Sequence, residues 1–190
     1  MVLKIIYMNI ILKIKGQGCV YMEFLKYALL VFIFIFSSVL GKIVSKKYTY
    51  RLQELCDMKN ALNILKNKIK FTYEPLPEIF EYISKNSIKN ISTIFNKAKQ
   101  KMKLETASKA WEEAVEETEC NLKEEDKNVI KMLSKLLGMT DAEGQVSQIE
   151  ITENFLNNQI KEAELEKQKN EKLYKKLGMT VGAAIVIILI

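Results

Sequence analysis

The sequence predicts an all-α protein, a cytosolic antiparallel bundle of about six helices between an N-terminal and a C-terminal membrane helix. Three observations predict it. Two Pro and seven Gly in 190 residues are too few turn formers for an all-β fold. Apolar residues recur at steps of three and four through the body. Two long apolar runs lie near the chain ends, with the charged residues concentrated between them.

The elements follow in order. Residues 1–21 are expected to lie upstream of the true start, because codons for Lys15-Gly16-Gln17-Gly18 would be purine-rich, like a ribosome-binding site, just before Met22. A genuine or disordered extension is the alternative. Residues 22–44 form the first membrane helix. Its apolar run, 27–44, is 18 residues or about 27 Å long, close to a bilayer core. Lys26 and Lys42 flank the run, and Lys46, Lys47 and Arg51 follow it as in a stop-transfer segment rather than a signal peptide.

Residues 45–176 form the bundle. Tyr48, Leu52, Leu55, Met58, Leu62, Leu65 and Ile69 make one stripe of a long helix. Pro75 and Pro77 end it and start the next, whose apolar face is Ile79, Phe80 and Ile83. Ile91, Ile94, Phe95 and Ala98 mark a short helix; Ala110, Trp111, Ala114 and Val115 mark another, with Trp111 either a core anchor or an exposed docking aromatic. Asn121-x-x-Glu124 and Thr140-x-x-Glu143 read as capping boxes, and Gly138 sits where a left-handed C-cap is expected. Gly144, inside a first turn, implies a close approach of another helix or a partner. The last helix buries Ile149, Thr152, Leu156, Ile160 and Ala163. It then passes through residues 164–172, read as a solvated stalk held by Glu164–Lys167, Glu166–Lys169 and Glu171–Lys175 pairs. Residues 177–190 form a C-terminal transmembrane or membrane-inserted helix, about 21 Å long, with Gly178 and Gly182 offering a close-packing stripe. Basic clusters at both ends of the body place it in the cytosol.

Composition excludes much chemistry. Without His there is no Ser-His-Asp triad and no His-ligated metal, and three scattered Cys make neither a Cys₄ site nor a disulfide framework. No phosphate-binding glycine motif occurs. A single arginine, Arg51, and a near-neutral body argue against nucleic acid. No cofactor, metal or small-molecule substrate is expected. Paired carboxylates, Glu124 with Asp126 and Asp141 with Glu143, would be the best case for an enzyme, but their helix N-terminal positions already account for them. Residues 85–103 hold six Lys and no acid, and 104–126 hold nine acids. These blocks read either as helix faces that attract each other or as an acidic docking face at Glu112, Glu113, Glu116 and Glu117.

Five segments in order carry a family resemblance: 74–78 (EPLPE), 110–114 (AWEEA), 122–126 (LKEED), 137–145 (LGMTDAEGQ) and 170–178 (NEKLYKKLG). Together they make the chain similar, over residues 22–190, to the stage III sporulation protein AB family. Two positions depart from the family pattern: Lys68 replaces a common acid and Glu74 a common Thr, which puts a partner salt bridge at the acid in doubt. The resemblance implies a body like the cytoplasmic domain of the type II secretion F protein. It also implies a non-catalytic platform in the channel complex that links mother cell and forespore. Expected neighbours are the lipid bilayer, a secretion-type ATPase and other channel subunits of the same operon. The implied location is the mother-cell membrane around the forespore, with the body facing the mother-cell cytosol. A general secretion or pilus F-like scaffold is the alternative. Candidate contacts are the Pro75-Leu76-Pro77 elbow, the turn with Gly138, Asp141, Gly144 and Gln145, and the face at Trp111, Glu112 and Glu113.

Overall fold

Six α-helices follow one another in the computed structural model, which describes the backbone of residues 2–189 and the side chains of 25–174 and 176–188. They are α1 (Val2–Phe71), α2 (Leu76–Asn86), α3 (Lys89–Lys101), α4 (Ala107–Glu116), α5 (Glu124–Lys131) and α6 (Ala142–Leu189), with a 3₁₀ turn at Met132–Lys135 after α5. No strand occurs among the described residues. The expectation of a start at Met22 concerns residues whose side chains lie outside the described ones.

The chain divides into two units, one of residues 1–45 with 172–190 and one of residues 46–171. In the larger unit, Leu55, Met58, Leu62, Leu65 and Ile69 of α1 are buried, as the three-and-four spacing predicts. Phe80, Phe95 and Trp111 meet at its centre, with ring centroids 5.0–5.6 Å apart. Each such burial contributes about 2–3 kcal/mol. Trp111 is fully buried and its indole N–H donates to the Ile130 carbonyl at 2.9 Å, so it is a core anchor and not an exposed docking aromatic.

Several expectations change in the structure. The helix after Asn121 is not capped by Asn121. Glu54 draws that residue away, accepting from its backbone N–H at 2.8 Å and from its side-chain amide. The N-cap position is Lys123, and Asp126, three residues on, reaches back so that its Oδ2 accepts the Lys123 N–H at 2.9 Å. Thr140 does not cap α6 either. Asp141 does, with Oδ1 accepting from Gly144 N–H at 2.9 Å. Residue 166 is not part of a solvated stalk: Glu166 turns to Arg51 at 2.7 Å and also pairs with Lys123. The Lys175 side chain of the third expected stalk pair lies outside the described residues.

In the smaller unit α1 and α6 run antiparallel. Phe32, Ile35 and Phe36 are more than half exposed there. A Cβ on Gly41 would stand 2.6 Å from the Tyr174 carbonyl oxygen. One on Gly178 would stand 2.9 Å from that of Ser37 and 3.1 Å from the Gly41 Cα. Glycine at both positions is what lets the backbones approach. Ser37 Oγ donates to the Gly178 carbonyl at 2.8 Å, and Gly182 packs on Phe34 and Ser37. Among the described residues α1 is the helix long and apolar enough to cross a membrane; the apolar end of α6 falls short of that length.

Candidate functional site

The proline elbow and the Gly138 turn, far apart in sequence, come together. Pro75 stands at the N-cap of α2 with an extended ψ of 141°, and Leu76 and Pro77 occupy the first turn, where a missing N–H costs nothing. Gly138 has φ +69°, the left-handed conformation expected of it. A Cβ at Gly138 would lie 3.1 Å from the Ala107 Cβ and 3.4 Å from Leu76 Cδ1. The starts of α2 and α4 and this turn therefore share one end of the body.

Gln145 fastens the turn. Its Oε1 accepts from the Gly138 N–H at 3.1 Å and its amide donates to the Thr140 carbonyl at 3.1 Å. The close approach at Gly144 is local: a Cβ there would lie 2.7 Å from both outer atoms of the Thr140 side chain. Gly138, Asp141, Gly144 and Gln145 thus build a self-consistent cap. Among its neighbours, Met139 is 69% exposed.

The acidic face is already occupied. Glu112 accepts from Ser134, and Glu113 pairs with Lys101 and Lys109. Glu117 pairs with Lys101 at 2.9 Å, and Glu116 pairs with Lys131. Hydrogen bonding from Lys101 holds the Glu113 carboxyl below its ordinary range, and Lys131 does the same for Glu116. Hydrogen bonds from Lys85 and Lys99 take Glu81 down to about 2. The attraction between the charge blocks across helices is present in the structure, while Glu112, Glu116 and Glu117 stay exposed at the surface.

Of the carboxylates weighed for catalysis, Asp126 and Asp141 have structural partners. Asp126, fully buried, is held by the Arg51 fork, Nε to Oδ2 at 2.7 Å and Nη2 to Oδ1 at 2.8 Å. That bond raises the Arg51 pKa above its ordinary value despite burial. Sequence reasoning placed Arg51 among the membrane-flanking cations; it is 3% exposed and ties α1 to α5 and α6. The signal available was its being the lone arginine, at a site needing a bidentate fork. The two departures from the family pattern also meet: Lys68 Nζ donates to both carboxylate oxygens of Glu74 at 2.8 Å. Also missed were Phe71 and Tyr73, 67% and 83% exposed at the end of α1.

The profile of the family described as Stage III sporulation protein AB (spore_III_AB) matches residues 26–190. Stage III sporulation protein AB of Bacillus subtilis (strain 168) is 27% identical over 163 residues, which covers 84% of this chain and 95% of that protein. A solved structure of a stage III sporulation protein AB superposes with a TM-score of 0.58 at 24% identity, covering 62% of this chain and 96% of that one, and shares the fold. The chain belongs to the stage III sporulation protein AB family, and with it to the proteins of sporulation.

Proposed function

We propose that the protein is a non-catalytic membrane platform of the mother cell–forespore channel, whose cytosolic body couples a secretion-type ATPase to that channel. The observation that carries this reading is α1. One helix, Val2–Phe71, holds both an exposed apolar stretch suited to lipid and the buried stripe of the body's core. The end of α6, paired with α1 through Gly41 and Gly178, is read as entering the same bilayer, the first helix supplying the contact its shorter apolar run needs. The site is the mother-cell membrane around the forespore.

The test is deletion of the gene in the sporulating host, complemented by forms starting at Met1 and at Met22, with forespores followed by microscopy. Arrest after engulfment, rescued by complementation, is expected. Normal spores would overturn the reading and leave a general secretion or pilus F-like scaffold.

A further inference from the structure

Where α1 stops and α6 starts, the larger unit holds a cleft. Lys70 and Tyr73 form one wall; Ala142, Glu143, Val146 and Glu150 form the other. Tyr73 follows the last turn of α1 with φ of 54°. Glycine adopts that left-handed conformation freely, and a bulky residue adopts it only at a cost. Burial does not offset the cost, since Tyr73 is 83% exposed. The conformation therefore leaves a large aromatic ring on the surface at the rim of the cleft. Beside it the Lys70 ammonium lies over the Phe71 ring, 5.3 Å from its centroid.

On the facing wall Glu143 and Glu150 stand seven residues apart, about 10.5 Å along the helix. Glu143 is exposed and makes no ion pair among the described residues. Glu150 is 58% exposed, and its one cation, Lys66, lies 3.9 Å away while bonding to Glu153 at 2.7 Å. Val146 lies between the two acids on the same wall.

We propose that this cleft docks an amphipathic helical segment of a partner protein, with an apolar side against Tyr73 and Val146 and two basic residues seven apart for Glu143 and Glu150. Charge selects the occupant: with Lys66 engaged by Glu153, the carboxylates of Glu143 and Glu150 outnumber Lys70 in the cleft, which favours a basic segment over an acidic one or an anionic lipid surface. An exposed aromatic beside a cleft supplies the anchor. The inference rests on the reading of the body as a docking platform and adds the chemistry of what docks.

The full-length chain is expressed in sporulating cells with p-benzoylphenylalanine at position 73, and the photo-cross-linked peptide is sequenced. A segment of another protein with two Lys or Arg seven apart around apolar residues is expected. Cross-links only to lipid, to a second copy or to an acidic segment, or none at all, would overturn the proposal. Tyr73→Gly removes the ring and relieves the backbone. The Tm of the detergent-solubilised chain is expected to rise by about 2–4 °C, while affinity for the captured segment falls by about tenfold, the scale of one lost anchor, and spore yield falls with it. A more stable variant with undiminished spore yield would show that the ring docks nothing. The Glu143→Gln, Glu150→Gln double variant, with helicity unchanged, should lose about nine-tenths of the cross-link; full retention would overturn the role of charge. If gene deletion leaves spores normal, the platform reading fails whatever the cross-link shows. If deletion arrests the forespore and no basic segment is captured, only the docking proposal fails.

Discussion

Removing one member of the Arg51–Asp126 pair leaves the other charge enclosed, since both side chains are at most 3% exposed. Asp126→Ala is expected to cost about 3 kcal/mol, because the enclosed guanidinium loses its bidentate partner and keeps Glu166 at 2.7 Å. Urea unfolding of the full chain in micelles measures it. Arg51→Met combined with Asp126→Leu should cost much less than the two single changes together, because neither charge is then stranded. Gly138→Ala tests backbone conformation instead. It should cost about 1 kcal/mol or more, from φ +69° and a Cβ crowding Ala107 at 3.1 Å. The Lys68–Glu74 pair carries a simpler lesson. A lysine and a glutamate that look separately out of place satisfy each other across the end of α1.

Among the elements, the antiparallel pair of α1 and α6 in the smaller unit depends on two glycines. A Cβ on Gly182 would stand 3.2 Å from the Ser37 Cβ. With the native cysteines replaced, Ser37→Cys and Gly182→Cys should form a disulfide in isolated membranes under mild oxidation. Adding Gly41→Leu should abolish it, because the new side chain meets the Tyr174 backbone. Mobility on non-reducing gels decides both. Much of the element plan was legible beforehand. The stripes of α1 and α4, the Pro75–Pro77 break and the Gly138 stop all follow from local spacing and backbone preference. What escaped was long-range. Asn121 matches a capping pattern, yet Glu54, 67 residues earlier, claims it. Glu166 matches an exposed stalk, yet Arg51, 115 residues earlier, turns it inward. Surface details were less legible still: Lys101 and Lys131, which pair with the acidic run, come from other helices, and nothing in the letters of Tyr73 announces a left-handed backbone.

At the scale of the whole molecule, the larger unit joins its helices through exposed carboxylate–lysine contacts around an apolar centre. Glu81, Glu113 and Glu116 are all more acidic folded than their ordinary 4.5, chiefly through hydrogen bonds from lysines. A depressed folded pKa gives stability that is present above the unfolded value and lost as pH falls through the folded one. The Tm should therefore hold level above about pH 5 and decline from about pH 4.5 towards 2; thermal melts across that range check it. High salt should weaken the same contacts, which are on the surface. Arg51 has one more consequence. It is the only arginine in the chain, and it lies enclosed within a helix. A protease that cuts only after arginine therefore has a single target, hidden whenever the fold is closed. The rate at which the 190-residue chain is nicked into pieces of 51 and 139 residues (190 − 51) reads out how often α1 opens there, without any label.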